Sequence, residues 1–427
     1  MLKMAATNGR TQGGCRRGHR AALRGSESVG ATDGRSGKRG AVNLQDLLAR
    51  WLAAPPRWLL ALVAVPALVS LAAGAFNALT SPGDFQYPNA CRFIAGEDPF
   101  TLHLDSPEAG SSAWRKLAPV YLHFFYFLLA PLCVLSWQQA ASGWLIANLV
   151  FAVATVRLLT RRAGLGFASF VLITCLFALS TPLRNTLGIG QTSLFILFVF
   201  VLAGLATRRE IRVGASVLSF IKYSFAGSWL GLMLRRDPPT IIASGAVATL
   251  LVALGAWWIA DGNIVQALFA PMVVARESVA PGHGDLMTLF HYAFDPDNRY
   301  RLPVAVALLL ANVAVVYRLT GLTTDPLLQL AIASTASLLF LNHLLYDSVF
   351  LLPALVVLLA RLDLYTWIGG IAIGLHWYVL RVIDLFDLRS DDLPWTAAVA
   401  ALYATVLACV VMRARAPGTS ATVAAVP

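Results

Sequence analysis

The chain has 427 residues, 58% of them hydrophobic and only 13% charged, with a net charge of +11. Soluble domains run about 45–50% apolar and about 25% charged, so this chain cannot cover itself with polar surface in water. A soluble enzyme, a disordered regulator and a secreted disulfide scaffold are excluded, and a polytopic membrane protein is expected.

Residues 1–50 carry ten Lys or Arg against Glu27, Asp33 and Asp46, which is +7 of the total +11. Such a block can signal nucleic-acid binding. Here it precedes the first apolar run, where the positive-inside bias predicts a cytoplasmic N-terminus, and no nucleic-acid partner is expected. The stretch 1–56 is rich in Gly, Ser, Ala and Arg without apolar period, and reads as a disordered basic tail. Some fifty residues before the first apolar run argue against a signal peptide.

A membrane-crossing helix needs about 20 mostly apolar residues. Apolar runs stand at 57–79, 119–137, 142–160, 165–182, 193–207, 213–234, 240–260, 302–319, 326–341, 348–362, 365–383 and 394–412. They are too long and continuous for barrel strands. The fold expected is all-α, a polytopic transmembrane bundle of about twelve spans over 57–412, with multi-pass placement in the cell membrane. The tail 413–427 is expected in the cytoplasm, where Arg413 and Arg415 agree with the positive-inside bias. The larger loops 80–118 and 261–301 then lie outside, with the short turn 342–347. This parity carries a conflict, because it also puts Arg161, Arg162, Arg208, Arg209 and Arg212 outside. Either one span is re-entrant, or those arginines meet lipid phosphates of the outer leaflet.

The five cysteines (15, 91, 133, 175 and 409) form no CxxC, and three lie in apolar runs, where a free Cys behaves as a small hydrophobe. Neither a disulfide framework nor a metal site is supported. Walker A and GxGxxG patterns are missing as well, so no cofactor is expected.

The first long loop opens Thr80-Ser81-Pro82-Gly83-Asp84-Phe85-Gln86-Tyr87 and runs on to Gly96-Glu97-Asp98-Pro99-Phe100. Asp84 stands at the membrane edge beside aromatics, where partial desolvation raises a carboxylate's basicity. The alternative is that it caps the helical stretch 87–95. Asp98, before a proline, suits the start of a turn.

Asp84-Phe85-x-Tyr87-x-x-Ala90-x5-Gly96-Glu97-Asp98-Pro99-Phe100 resembles the first-loop signature of glycosyltransferase family 87, membrane mannosyltransferase-like enzymes of the glycosyltransferase-C superfamily. Gly190-Gln191-Thr192-Ser193, Lys222-Tyr223, and His343 through Tyr346 to Pro353 follow in the family's order. Ser193 stands where the family more often has Asn, and Tyr223 where it more often has Pro. The resemblance implies a glycosyltransferase-C-like bundle. It also implies a polyprenyl-phosphate sugar donor, a lipid or glycan acceptor, transfer of a hexose such as mannose with inversion, and an active site at the outer face among membrane lipids. It assigns Asp84 the general-base role; beside it the expected site residues are His343, catalytic through a hydrogen bond to the donor phosphate or the acceptor, and Lys222, Gln191, Tyr87, Tyr346 and Asp347 on the donor side.

The residues themselves bear on these roles. Lys222 falls near the middle of an apolar run, where an ionisable group is a functional hypothesis by default. It can hold a phosphate as a point charge, pair with a buried carboxylate, or snorkel. His343 and Asp347 are four apart and share a face on a helix. Asp347 can then fix the His343 tautomer, or both belong to an interfacial cluster with Asn342 and Tyr346. Gly190-Gln191 taken alone reads as a turn. In the loop 261–301, His283-Gly284-Asp285 is too isolated for a metal site. A carrier or flippase, with Lys222 and the loop acids as substrate contacts, and an envelope-polysaccharide polymerase are the competing readings.

Overall fold

The structure, a computed structural model, describes residues 55–81, 83–106, 118–278, 284–295, 297, 299–379 and 393–416, together with Leu47 and Trp51. Most of the basic tail, the end of the C-terminal tail, Ser112, His283 and Cys15 lie outside the described residues. No strand occurs among those described.

Helix α1 (Arg57–Thr80) is apolar on all sides. Leu62, Val65, Leu68, Val69 and Phe76 stay 63–67% exposed, which suits a lipid-facing helix rather than one in water. Its buried stripe is made of small residues, Ala67, Ser70, Gly74 and Ala78, so a neighbouring backbone can approach closely. A Cβ on Gly74 would sit 3.2 Å from the Arg184 carbonyl oxygen. The first loop is itself largely helical, with α2 (Tyr87–Ile94) and α3 (Pro99–Leu104).

The run 119–137, expected to cross the membrane, does not form one long helix. It holds only α4 (Phe124–Leu129) and a 3₁₀ turn, Ala130–Val134, and packs on α2. A disulfide joins Cys91 of α2 to Cys133 of that turn, with Cα atoms 5.4 Å apart. This corrects the expectation of unpaired cysteines: the partners are 42 residues apart, and one stands in a run that read as a span.

Beyond it come α5 (Trp137–Arg162), α6 (Phe167–Leu179) and α7 (Thr181–Gly188), the last two bent by 65° against each other, then α8 (Ser193–Leu205). The run 213–234 is not one helix either. It breaks into α9 (Arg209–Ser219) and α10 (Ala226–Arg236), with a 120° bend between Ser219 and Tyr223. Helix α11 (Pro238–Ile259) follows. The second long loop is mostly helical, as α12 (Ile264–Ser278) and α13 (Leu286–Phe294). The chain continues through α14 (Arg301–Thr320), α15 (Pro326–Phe340), a 3₁₀ helix Leu345–Leu351, α16 (Leu352–Leu359), α17 (Leu364–Gly374) and α18 (Leu393–Arg415). Helix α15 is the core: 13 of its 15 residues are buried.

Among the described residues, five helices (α1, α5, α11, α14 and α18) are long and apolar enough to cross a membrane, or up to seven if each bent pair is one span. About twelve were expected. Apolarity alone does not separate a lipid-facing span from a short helix packed inside the bundle, and several runs are helices of 10–17 residues.

Arg162, Arg212 and Arg236 gather at one end, within reach of one another's charge, whereas Arg301 stands near Tyr223 and Asp285. Arg162 faces Asp325 at 4.0 Å, Arg212 pairs with Asp237, and Arg236 donates to the Gly204 carbonyl. Arg413 holds Asp363 at 2.7 Å and the Val357 and Leu358 carbonyls. The two corrected runs explain the topological conflict. Removing the 119–137 span reverses the sense of α5 to α8, and making 213–234 an out-and-back hairpin restores it beyond α10. Arg162 and Arg212 accordingly lie with Arg236.

Candidate active site

Asp84 lies at the opposite end, on the segment leaving α1, with its backbone N–H bonded to the Ile189 carbonyl at 2.8 Å. Its side chain is half-buried. Gln86 Nε2 donates to Oδ1 at 2.7 Å, and Gln191 Nε2 donates to Oδ2. The capping alternative fails, since the N-cap of α2 is Gln86. The capping acid is Asp98, which accepts from Phe100 N at 2.9 Å at the start of α3. Burial pushes the Asp84 carboxyl up to about 7, against the Gln86 hydrogen bond and the Lys222 charge, which lower it, and with Asp347, which raises it further.

Gly190 brings Gln191 there. Its φ is +73°, and a Cβ would come within 2.8 Å of Phe85 Cβ. Only glycine adopts this turn against the Asp84-Phe85 backbone without strain, and Trp144 Nε1 secures it by donating to the Gly190 carbonyl at 2.8 Å.

Lys222 is at the elbow of the α9–α10 hairpin, in extended backbone, and not in mid-helix. Its ammonium is 2.5 Å from Asp347 Oδ1 and stands over the Tyr346 ring at 5.0 Å and the Phe225 ring at 5.6 Å. Asp347 also accepts from Ser193 Oγ at 2.6 Å and from Leu344 N at 3.3 Å. So the buried-carboxylate alternative for Lys222 is the observed one, and its charge also reaches Asp84.

His343 meets Asp347 at 3.4 Å, although not on a shared α-helical face: the segment is extended and then 3₁₀. The tautomer is set from elsewhere. His343 Nε2 is 2.7 Å from the Ser337 carbonyl, which can only accept, so Nε2 carries a proton. Asp285 reaches the same place, accepting from His343 N at 3.3 Å while it caps α13 through Thr288. Burial pushes the Asp285 carboxyl up to about 6, opposed by Thr288 and His343.

The structure thus brings Asp84, Gln191, Lys222, Tyr346, Asp347 and His343 to one end of the bundle. Tyr87 is placed differently: its hydroxyl donates to the Leu135 carbonyl at 2.8 Å, and its ring packs on Phe85 and Trp137. Four members were missed, one of them Asp285, which read as part of an isolated loop triplet. Gln86 fell at a variable position of the first-loop motif, Ser193 was noted only as a departure from the family, and Tyr121 lay in a run that read as a lipid-facing span. Tyr121 is buried, with its hydroxyl 2.8 Å from Gln191 Oε1.

A family model described as glycosyltransferase family 87 matches residues 120–345, more than half of the chain. The chain belongs to glycosyltransferase family 87. No curated protein and no solved structure matches it. The matched stretch of this membrane glycosyltransferase holds Gln191, Lys222 and His343; Tyr346 and Asp347 stand just beyond its end and Asp84 well before its start, and they join the site through the contacts above.

Proposed function

We propose that this family 87 enzyme transfers a hexose, mannose in the first instance, from a polyprenyl phosphate to a lipid or glycan acceptor, with inversion, at the extracytoplasmic face of the cell membrane. The observation that carries the reading is Asp84, a half-buried carboxyl beside Lys222 at the end of the bundle away from the Arg162–Asp325 pair. In the transfer step Asp84 takes the acceptor hydroxyl proton, the acceptor oxygen bonds to the sugar's anomeric carbon, and the bond from that carbon to the phosphate oxygen breaks. The electron pair leaves with the polyprenyl phosphate, next to Lys222. Asp347, itself met by His343, holds Lys222 in place, and Tyr346 offers an aromatic face on the donor side.

Two features support the orientation. Arginines favour the cytoplasmic side, and the Cys91–Cys133 disulfide belongs in an oxidising compartment, so the Asp84 end faces out and both termini face in.

The test is to incubate membranes containing the protein with a radiolabelled polyprenyl-phosphate hexose and extract glycolipids. Label should enter a lipid or glycan product with the wild type and fail to do so with Asp84→Asn. Equal labelling by both would overturn the reading.

A further inference from the structure

Asp84 is held by two carboxamides, and each of these is itself locked. Gln191 Oε1 accepts from the Thr192 backbone N–H at 3.0 Å and from the Tyr121 hydroxyl at 2.8 Å. A backbone N–H only donates, so the Gln191 oxygen must face it, and the NH₂ group is left pointing at Asp84. Gln86 is fixed in the same sense. Its Nε2 also lies 3.4 Å from the Ala118 carbonyl, which only accepts, and its Oε1 accepts from Asn89 Nδ2 at 2.8 Å. Neither amide can flip without setting two acceptors or two donors against each other.

We infer that Gln86 and Gln191, locked by Asn89 and Tyr121, are positioning residues for Asp84: they hold its carboxylate in one plane with one N–H on each oxygen. Gln191 thereby acts on the base, where the family resemblance put it with the donor. A carboxylate oxygen has two lone-pair sites, so one on each oxygen stays open to an acceptor hydroxyl.

The electrostatic consequence follows directly. Donors on both oxygens favour the ionised form, against burial. The other groups acting on Asp84 are Lys222, which also favours ionisation, and Asp347, which opposes it. Tyr121, Tyr126 and Tyr346 stand near enough to feel its charge. Loss of an N–H donor therefore raises the Asp84 pKa and keeps the base protonated to higher pH.

The inference rests on Asp84 being the base of the proposed transfer, so the test has one readout that needs activity and one that does not. The variants are Gln191→Met, which keeps the length and removes the donor, and Tyr121→Phe, which removes only a hydroxyl. In pH–rate profiles at saturating donor, the acidic limb should move up by about one pH unit in Gln191→Met, a tenfold loss at low pH, and by less in Tyr121→Phe. The donor KM should stay within about twofold in Tyr121→Phe, whose hydroxyl meets Gln191 and not the donor side. Independently, the infrared band of a protonated carboxyl that Asp84→Asn deletes should titrate at higher pH in both variants. A raised donor KM with an unmoved limb would return Gln191 to the donor site. A rate lowered equally at every pH, or an infrared titration that does not move, would overturn the inference. An inactive protein whose infrared titration shifts as described would retain it and count against the transferase reading instead.

Discussion

The Lys222 ammonium and the Asp347 carboxylate, 125 residues apart in sequence, form a 2.5 Å ion pair that ties the elbow of the α9–α10 hairpin to the 3₁₀ helix after α15. Asp347 is 2% exposed and Lys222 15%. Removing one member leaves the other charge buried and unmatched, which typically costs about 3–5 kcal/mol. Lys222→Ala should therefore lower thermal stability in detergent markedly, in addition to any loss of donor use. Lys222→Met combined with Asp347→Leu should recover part of that stability without recovering activity. A single variant as stable as the wild type would remove the structural role of the pair.

Asp84→Asn keeps the side chain's size and caps no helix, but it turns one NH₂ on the locked NH₂ of Gln86 or Gln191, so some stability is lost together with the base. The variant should fold and bind donor while transfer drops by about 10²–10⁴-fold, the usual worth of general acid–base catalysis. Turnover close to normal would remove the assignment.

The pH dependence has a definite sign. With the Asp84 carboxyl raised to about 7 by burial, the base is protonated at acidic pH and ionises as pH rises through neutrality. Transfer should increase between about pH 6 and about pH 8, and a pH–rate profile at saturating donor checks it. A rate flat across that window would exclude a base titrating there.

The orientation can be read by thiol labelling. In intact cells an impermeant maleimide should reach Cys introduced at Ser278 but not at Thr323, which lies beside Asp325 at the arginine end. Cys91 and Cys133 should react only after reduction. Labelling at Thr323 with protection at Ser278 would invert the assignment.

Composition and run length alone determined that this is a helical membrane protein, because backbone in lipid is satisfied only in helices or closed barrels and these runs are too long and continuous for barrel strands. The first-loop pattern and three short motifs were enough to point to the family and to Asp84, Gln191, Lys222, His343 and Asp347, because ionisable and amide groups in apolar surroundings stand out in sequence. Which runs cross and which fold back was not legible. Runs 119–137 and 213–234 are as apolar as their neighbours, and only packing decides that one stops short against α2 and the other turns at Lys222. The partners of the site residues were equally hidden. Tyr121 and Gln191, Ser193 and Asp347, and Cys91 and Cys133 are 70, 154 and 42 residues apart. No local period encodes such contacts: the site pairs arise where the α7–α8 turn, the hairpin elbow and the segment after α15 converge, and the cysteine pair where α2 meets the turn after α4.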